Sequence, residues 1–441
     1  STEDARAAGG TQVRVEPVVD LERLGEAWRA LEPRSAPSFF QSWGWIGCWL
    51  RHLPPGRRPL AVMARCGDEI VGLGVFLSRR ERRYGVLPAK TLRLHESGDR
   101  ALDSVFVEHN GLLADRAHAP AVWAAVLARL TRRGAWDQVL LGGLAGGAAE
   151  LCLEAAGAHG RHVVVRQRRR SAHLDLAALR RSRRDLAEGL SRNTRQQLAR
   201  ARRLYGAIGP VSLRAAENVE EALAMLDRLK TLHQTSWRRR GQPGCFATPS
   251  FETFHRDLIR ARFGSGEIQL LAASAGARPI GYLYNFVHGD RVYAYQSGFD
   301  DVADGRLKPG LVTHALAIEQ AMREGFAIYD FMAGDNRLKA SFASHWTEMV
   351  WLAVQGSSTV SWVDRRLADL RSRMRAAQPS WLRRFSSGPG PARERGEVRP
   401  RGGERSPAAA DPRRARGTEE PLRSRGIGTA GQPALWSSGS D

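Results

Sequence analysis

Residues 328–339 read Ile-Tyr-Asp-Phe-Met-Ala-Gly-Asp-Asn-Arg-Leu-Lys, an apolar strand that holds one carboxylate and leads into a polar turn and a short helix. A hairpin signal stands upstream of this block, at residues 268–286, and a similar signal occurs much earlier, at residues 60–76. Each is an apolar strand, a glycine-bearing turn, and a second strand that opens on small aliphatic and glycine residues. A hairpin repeated at long range predicts a duplicated domain.

Composition sets outer limits on the class of protein. The chain has 441 residues, of which 42% are apolar, enough for two compact domains with a core each. Its four cysteines have no paired spacing, so neither a disulfide framework nor a zinc ribbon is indicated. No apolar run approaches the roughly 20 residues of a membrane helix, and no basic-then-apolar export pattern stands at the N-terminus. We therefore expect a soluble, cytoplasmic protein.

Positive charge is concentrated at the centre of the chain. Residues 161–206 hold fourteen arginines against three acidic residues, about half of the net charge of +21. Two interpretations remain open: a solvated basic helix face, or a site for a polyanion such as nucleic acid. The sequence has no His-Glu-x-x-His motif, Walker loop or Gly-x-Ser-x-Gly elbow, which argues against metal catalysis, nucleotide hydrolysis and serine hydrolysis.

The order of strand and helix signals divides the chain into six segments. The region from Asp175 to Trp237 is expected to be helical, and residues 104–113 are expected to be extended. The later copy should follow the order β-β-β-α-β-α-β, with its last strand at 349–354. The predicted segments are a disordered N-terminus (1–10), an N-terminal domain (11–175), connecting helices (176–240), a C-terminal domain (241–358), a C-terminal helix (359–385) and a disordered tail rich in Gly, Pro, Arg and Ser (386–441).

A set of short phrases, taken in order, resembles one known family. The sequence resembles the GNAT-fold acyltransferases of the BioF2-like, or CelD/BcsL, acetyltransferase branch, which is related to the Fem-type aminoacyl transferases. The phrases that carry the resemblance are Phe40-Gln41-Ser42-Trp43, Ser191-Arg192-Asn193-Thr194-Arg195, His233-Gln234-Thr235-Ser236-Trp237, Tyr295-Gln296-Ser297-Gly298-Phe299-Asp300, Lys308-Pro309-Gly310 and Tyr329-Asp330-Phe331.

This resemblance implies an α+β (α/β) fold of tandem GNAT-like domains, each a mixed twisted sheet flanked by helices. Two central parallel strands, expected at 293–297 and 327–332, would splay apart to admit the thioester arm of acetyl-CoA or another acyl-CoA. The diphosphate would lie at the start of the following helix, where free amides and added charge favour an anion. Pro309 departs from the usual phosphate loop, so a plain helix start is the alternative. The residues expected to bind the donor are Arg306, Lys308, Gly310, Leu311 and Val312.

The candidate catalytic residues are Asp330, Tyr295 and Lys339. A carboxylate in an apolar strand is costly unless it is functional or paired, which makes Asp330 the first candidate for the base. Tyr295 either protonates the departing sulfur or packs in the core. Lys339 either acts at the site or forms a structural helix pair with Asp335. The residues expected to line the acceptor side are Trp237, Arg195, Gln296 and Asp335.

We therefore expect an N-acyltransferase that moves an acyl group from acyl-CoA to an amine, on a sugar or a cell-envelope or exopolysaccharide precursor as the resemblance implies. No metal is expected. One alternative is a Fem-type transferase that uses aminoacyl-tRNA, the only case in which nucleic acid would be a partner. Another is a non-catalytic scaffold in polysaccharide synthesis.

Overall fold

The first copy of the duplicated hairpin lies within a run of strands and helices that ends near residue 175. The computed structural model describes residues 10–367, apart from 84–86, 106, 133, 359 and 364–365, so the predicted tail and most of the predicted C-terminal helix lie outside the described residues. The elements of this first part are β1 (Thr11–Pro17), α1 (Leu21–Leu31), α2 (Trp43–Arg51), β2 (Leu60–Cys66), β3 (Glu69–Arg83), β4 (Leu87–Leu94), β5 (Leu113–Ala114), α3 (Ala119–Leu130), β6 (Gln138–Ala145), α4 (Gly147–Ala158) and β7 (Val163–Asp175).

The second copy follows in the same order after three linking helices. Its hairpin, its crossover helix and the strand after that helix stand where the sequence predicted them. The elements of this second part are α5 (Leu176–Arg181), α6 (Leu186–Gly189), α7 (Arg192–Gly206), β8 (Val211–Ala215), α8 (Val219–Arg239), α9 (Pro249–Arg262), β9 (Ile268–Ala275), β10 (Arg278–His288), β11 (Arg291–Phe299), α10 (Pro309–Arg323), β12 (Ile328–Ala333), α11 (Arg337–Phe342) and β13 (His345–Gln355).

Both predicted hairpins are present, and each has the same neighbours. Strand β2 pairs antiparallel with β3, and β9 pairs antiparallel with β10. An additional strand covers the outer edge of each hairpin, β1 on β2 and β8 on β9. Each copy then contains one parallel pair joined by a helical crossover, β4 with β6 and β11 with β12. The repeated hairpin thus belongs to a repeated mixed α/β arrangement.

The two copies share one sheet because each sends its last strand into the other. The strand order is β1-β2-β3-β4-β6-β13-β7-β12-β11-β10-β9-β8, with β5 attached to β3. Strand β13, the last of the second copy, pairs with β6 of the first. Strand β7, the last of the first copy, pairs with β12 of the second. The two exchanged strands also pair with each other along most of their length.

An aromatic core holds helix α2 of the first copy against the sheet of the second. Trp45 of α2 contacts Phe286 of β10 with ring centroids 5.7 Å apart, and it contacts Phe254 of α9 at 4.9 Å. Phe39, which lies just before α2, stacks on Phe286 at 4.3 Å. Trp45 is completely buried, as its place on a buried helix predicted. Replacing a buried aromatic residue of this size by alanine typically costs about 3–5 kcal/mol of stability. The copies are therefore joined by packing as well as by strand exchange.

Several elements of the structure differ from those predicted from the sequence. The supposedly helical region 175–237 contains β8, which was missed although its five residues, Val-Ser-Leu-Arg-Ala, alternate between partly buried and exposed positions. Residues 102–105 form a short 3-10 helix, not part of a strand, and only Leu113–Ala114 is extended in the predicted stretch. Strand β7 was missed because its arginines hide the pattern: most of its residues are exposed or half-buried.

Candidate active site

A gap between two parallel strands forms the centre of the candidate site. Strands β11 and β12 pair only from Arg291–Tyr293 to Ile328–Asp330 and separate beyond that point. A cavity of about 120 Å³ occupies the opening. The strands thus splay as the sequence predicted. The residues that line this cavity, which we call the strand-gap cavity, are Glu108, His233, Ser236, Trp237, Arg240, Ala294, Tyr295, Gln296, Ser297, Gly298, Phe299, His314, Phe331, Met332, Ala333, Asn336, Leu338 and Lys339.

A larger groove of about 610 Å³ lies at the N-terminus of α10. Lys308, Gly310, Leu311 and Arg337 are among the residues that line it, and Lys308 caps the helix in the left-handed conformation, with φ +47°. A Cβ on Gly310 would lie 3.1 Å from the ring of Phe299, so glycine keeps this approach to the backbone open. A 15-residue helix with free N-terminal amides and two nearby cations suits a phosphate group.

The groove and the strand-gap cavity adjoin each other. Ser236, Arg240, Phe299 and Leu338 line both of them. A long substrate can therefore lie with an anionic end at the helix and a narrow arm between the strands. The groove volume falls within the range of about 300–1,000 Å³ that small-molecule sites occupy.

Asp330, the first candidate for the base, lies at the centre of a buried hydrogen-bond network. Its carboxylate is completely buried, with Arg291 Nη1 at 3.0 Å and His109 Nε2 at 3.3 Å from Oδ2. Ser171 Oγ and the Met332 amide donate to Oδ1. Burial alone would raise the pKa of Asp330, but His109, Arg291 and the amide outweigh it and hold the pKa well below the usual range. A carboxylate so placed is a poor proton acceptor and a good structural anchor.

The backbone beside Asp330 is strained at the cavity wall. Met332 has φ +64°, where a side chain is disfavoured by about 1–2 kcal/mol. The Asp330 carboxylate accepts its amide hydrogen at 2.8 Å, and Lys339 Nζ donates to its carbonyl at 3.1 Å. Two charged side chains thus hold a bulge in β12 that turns its backbone toward the gap. Strain of this kind concentrates at functional sites.

Lys339 lines the strand-gap cavity, and its pKa is lower than usual. Its Nζ also donates to the Ala333 carbonyl at 2.5 Å. Burial lowers the pKa of Lys339 to about 8, against the opposing effect of Glu108, Asp330 and Asp335. An amine with this pKa exchanges a proton readily near neutral pH. It does not form a helix pair with Asp335, because α11 begins two residues after Asp335 and Asn336 caps it.

Glu108 lines the candidate site but was not predicted from the sequence. It comes from a loop of the first copy, yet it lines the cavity of the second and accepts a 2.8 Å hydrogen bond from the Ala333 amide. No motif surrounds it, and its partner is 225 positions away in sequence. His314 was missed as well, although it stands on the buried face of α10, where its ring nitrogen lies 3.1 Å from the Tyr329 hydroxyl.

Tyr295 contributes its ring to the cavity and its hydroxyl to the core. The hydroxyl donates to the Val105 carbonyl and lies 3.1 Å from His255 Nε2. Burial raises the pKa of Tyr295 well above its usual value. A hydroxyl engaged in this way is poorly placed to protonate a leaving sulfur, so the packing alternative fits the geometry better.

The remaining predicted residues divide into two groups. Trp237 and Gln296 line the strand-gap cavity, and Lys308, Gly310 and Leu311 line the groove. The structure does not bring the others to either opening. Arg306 is paired with Asp304 at 2.8 Å, and Val312 is completely buried in the core. Arg195 and Asp335 are exposed and are not among the lining residues of either opening.

The corresponding strand gap of the first copy is filled by the chain itself. Strands β4 and β6 also pair over only three residues, 91–93 with 138–140. Asn110 lies between them beyond that point, where its side-chain amide donates to the Leu94 and Gly142 carbonyls at 3.3 and 3.0 Å. Its Oδ1 lies 2.8 Å from His95 Nδ1 and accepts the Gly111 amide. The segment 107–111, which we call the plug, closes this gap.

The described part of the chain holds neither a cluster of metal-ligating side chains nor a helix that could span a membrane. No set of three or more His, Cys, Asp or Glu side chains is grouped so as to hold a metal ion there. Nor does any described helix combine the length and the apolarity needed to cross a bilayer.

Comparison with known proteins agrees with this geometry. Residues 192–340 match the model of the acetyltransferase (GNAT) domain, a stretch that contains β11, α10, β12 and Lys339. The prediction of a GNAT-type N-acyltransferase is confirmed for this part of the chain. No curated protein matches the chain by sequence.

Solved structures extend the likeness over both copies. The structure of FemX has a TM-score of 0.51 and 9% identity and covers 74% of this chain and 95% of its own, which shows a shared fold. Also similar is the C-terminal domain of a putative lysylphosphatidylglycerol synthetase from Agrobacterium fabrum, with a TM-score of 0.47, 11% identity and coverage of 80% and 97%. A tandem GNAT protein from the clavulanic acid biosynthesis pathway gives a TM-score of 0.41, 17% identity and coverage of 79% and 100%.

Proposed function

We propose that this protein transfers an acyl group from acyl-CoA to an amine. The observation that carries the proposal is the continuous path from the groove at the α10 N-terminus into the gap between β11 and β12. The groove suits a diphosphate, and the gap suits a narrow thioester arm. The family-model match over residues 192–340 supports the same reaction type.

In this proposal Glu108 and Lys339 move the protons. The amine nitrogen attacks the thioester carbonyl carbon, so a C–N bond forms and the C–S bond breaks. Glu108, held by the Ala333 amide, accepts the proton that the amine loses. Lys339, whose pKa of about 8 leaves it mostly protonated at neutral pH, donates a proton to the departing sulfur. Asp330 anchors the bulge at Met332 and does not take part in proton transfer.

Calorimetric titration with acetyl-CoA tests the donor site. Lys308→Glu places a negative charge at the start of α10 and should weaken acetyl-CoA binding about tenfold or more, since the reversal replaces attraction by repulsion at close range. Arg323→Glu is the matched control, because it makes the same change in charge at the far end of the same helix. Equal affinity in both variants, or no binding by the unaltered protein, would rule out this donor site.

A Fem-type reaction with aminoacyl-tRNA is the second candidate. Helix α7 favours it, because Gln197 on this helix lines the groove while Arg195, Arg200 and Arg203 are exposed on it. A nucleic-acid donor would extend from the groove along this basic face. Titration with aminoacyl-tRNA at two salt concentrations decides the matter: binding that falls steeply with salt and is weakened by Arg195→Glu favours this candidate.

The sequence resemblance supports further proposals about context. They are membership of the BioF2-like, or CelD/BcsL, branch, an acceptor on a sugar, cell-envelope or exopolysaccharide precursor, and a cytoplasmic location. The segment boundaries at 175, 240, 358 and 385 likewise remain proposals. If neither acyl-CoA nor aminoacyl-tRNA binds, a scaffold role in polysaccharide synthesis is the remaining proposal.

A further inference from the structure

A second, smaller cavity of about 50 Å³ opens next to the strand-gap cavity. Glu108 lines both of them, so the two cavities meet at the carboxylate that we propose as the base. The smaller cavity, which we call the acidic cavity, is lined by Trp49, His95, Glu96, Asp103, Val105, Val107, Glu108, Arg169 and Trp351.

The lining of the acidic cavity favours a cation. Three carboxylates, those of Glu96, Asp103 and Glu108, line it together with the guanidinium of Arg169. Arg93, which does not line the cavity, lies 3.9 Å from the Glu96 carboxylate. Burial and the neighbouring Asp103 raise the pKa of Glu96 to about 7. A bound ammonium group would relieve the repulsion between these two carboxylates. The volume is sufficient for a group of a few heavy atoms.

His95 gives independent evidence for a hydrogen-bond donor in this cavity. The Asn110 amide nitrogen donates to two carbonyls, so Asn110 Oδ1 faces His95 as an acceptor and Nδ1 of His95 must carry the hydrogen. Nε2, at the other side of the ring, is therefore a bare acceptor. His95 is 1% exposed, and its Nε2 has no hydrogen-bond partner among the described residues.

We propose that the acidic cavity binds the cationic end of a diamine acceptor, whose other amine is acylated beside Glu108. This inference rests on the proposed acyl transfer and names the acceptor class. One ammonium group meets Glu96 and Asp103 and donates to His95 Nε2. The rings of Trp49 and Trp351 bound the same space and suit both an alkyl chain and a cation. The second amine, left neutral, lies at Glu108, where the acyl carbon arrives from the strand gap.

Three acceptors with the same four-carbon chain test the proposal with acetyl-CoA as the donor: 1,4-diaminobutane, 1-aminobutane and 4-aminobutanoate. We expect kcat/KM to be at least about tenfold higher for the diamine than for the monoamine, because one charged hydrogen-bonded contact is lost. The anionic acceptor should be the poorest. Glu96→Gln should remove the preference for the diamine over the monoamine.

Glu81→Gln is the control, because Glu81 also pairs with Arg93 but does not line the cavity. Equal kcat/KM for diamine and monoamine, or a preference that persists in Glu96→Gln, overturns the proposal. Glucosamine as a fourth acceptor distinguishes an amino sugar: a rate above that of the diamine would also overturn it.

A titration without any donor separates this inference from the proposed function. Calorimetric binding of 1,4-diaminobutane alone should be lost in Glu96→Gln and kept in Glu81→Gln, whether or not acetyl-CoA is turned over. Diamine binding with no acetyl-CoA binding would mean that the proposed donor is wrong while the cavity assignment holds. Acetyl transfer to amines without any diamine binding would mean that the acidic cavity is wrongly assigned while the proposed donor is correct.

Discussion

The two copies of the fold differ most at the gap between their parallel strands. In the first copy the gap between β4 and β6 is closed by the plug, whose Asn110 bonds to both sides. In the second copy the gap between β11 and β12 is open and continues into the groove at α10. The same backbone arrangement thus serves as a closed support in one place and as a candidate active site in the other.

The plug also contributes side chains to the candidate active site of the open copy. Asn110 faces the gap of the first copy, while Glu108 and His109, the two residues immediately before it, reach β12 of the second. His109 pairs with Asp330, and Glu108 bonds to the Ala333 amide at the cavity wall. A duplicated domain can therefore give up one binding cleft and use the closing segment to complete the other.

The strongest test of the comparison is to separate the copies. We expect residues 10–175 and 176–367, expressed apart, to aggregate without cooperative unfolding, because each would leave its exchanged strand and a sheet edge unpaired. Mixing the denatured halves should restore a folded complex. Circular dichroism with thermal unfolding measures both. A cooperative transition in either half alone would show that the copies are independent.

Removing one ammonium group from each copy should affect catalysis in only one of them. Lys339→Met should lower kcat for acetyl transfer about 100- to 10,000-fold, the usual contribution of a positioned acid or base. Lys90→Met, on the exposed side of β4 in the first copy, should leave kcat unchanged. Steady-state kinetics with acetyl-CoA provides the comparison, and similar losses in the two variants would remove Lys339 from the mechanism.

The plug should matter more for stability than another buried asparagine, Asn285, which lies on β10 of the open copy. Asn110→Leu removes four buried hydrogen bonds and should lower the free energy of unfolding by about 3–4 kcal/mol, at roughly 1 kcal/mol each. Asn285→Leu, also fully buried but with a long 3.4 Å bond to Gln269 and one side-chain hydrogen bond with Tyr329, should cost about 1–2 kcal/mol. Urea unfolding measures the free energy of unfolding of both variants. Equal decreases would show that the plug is no more important for stability than Asn285.

The first copy should also show a distinct dependence on pH. Burial lowers the pKa of His95 from 6.5 to about 4, so between these values the unfolded chain binds more protons and stability falls as the pH falls. Going from pH 8 to pH 5 should cost about 2 kcal/mol through His95. His95→Gln should flatten the curve by that amount, whereas the exposed His162→Gln should not. Unchanged slopes in both variants would contradict a buried, neutral His95.

The sequence was sufficient for the parts of the fold that follow local pattern. The hairpins, helix α10 and strand β12 were predicted because apolar period, turn glycines and a helix-starting proline coincide there. The exchange of β7 and β13 was not predicted. Both strands read as ordinary local strands or charged segments, and their partners are decided by packing between distant parts of the chain.

The site shows the same limit. Five residues of the predicted motifs lie on the walls of the site. Trp237, Gln296 and Lys339 line the strand-gap cavity, and Lys308 and Gly310 line the adjoining groove. The role of the buried Asp330 carboxylate could not be predicted from its neighbours in sequence. Two of its partners, Ser171 and His109, come from the other copy. Glu108 could not be predicted as a site residue for the same reason, because its partner Ala333 lies in the other copy.

The exchanged strands have a consequence for the order in which the molecule is made. During synthesis the first copy emerges complete except for the strand that belongs beside β6, which is β13 at residues 345–355. Its sheet therefore stays unfinished until about 180 further residues have followed, roughly ten seconds or more at ordinary rates of chain elongation. The apolar edge of β6 must be shielded from other nascent chains over that interval. We expect this protein to depend on chaperones that bind chains still attached to the ribosome.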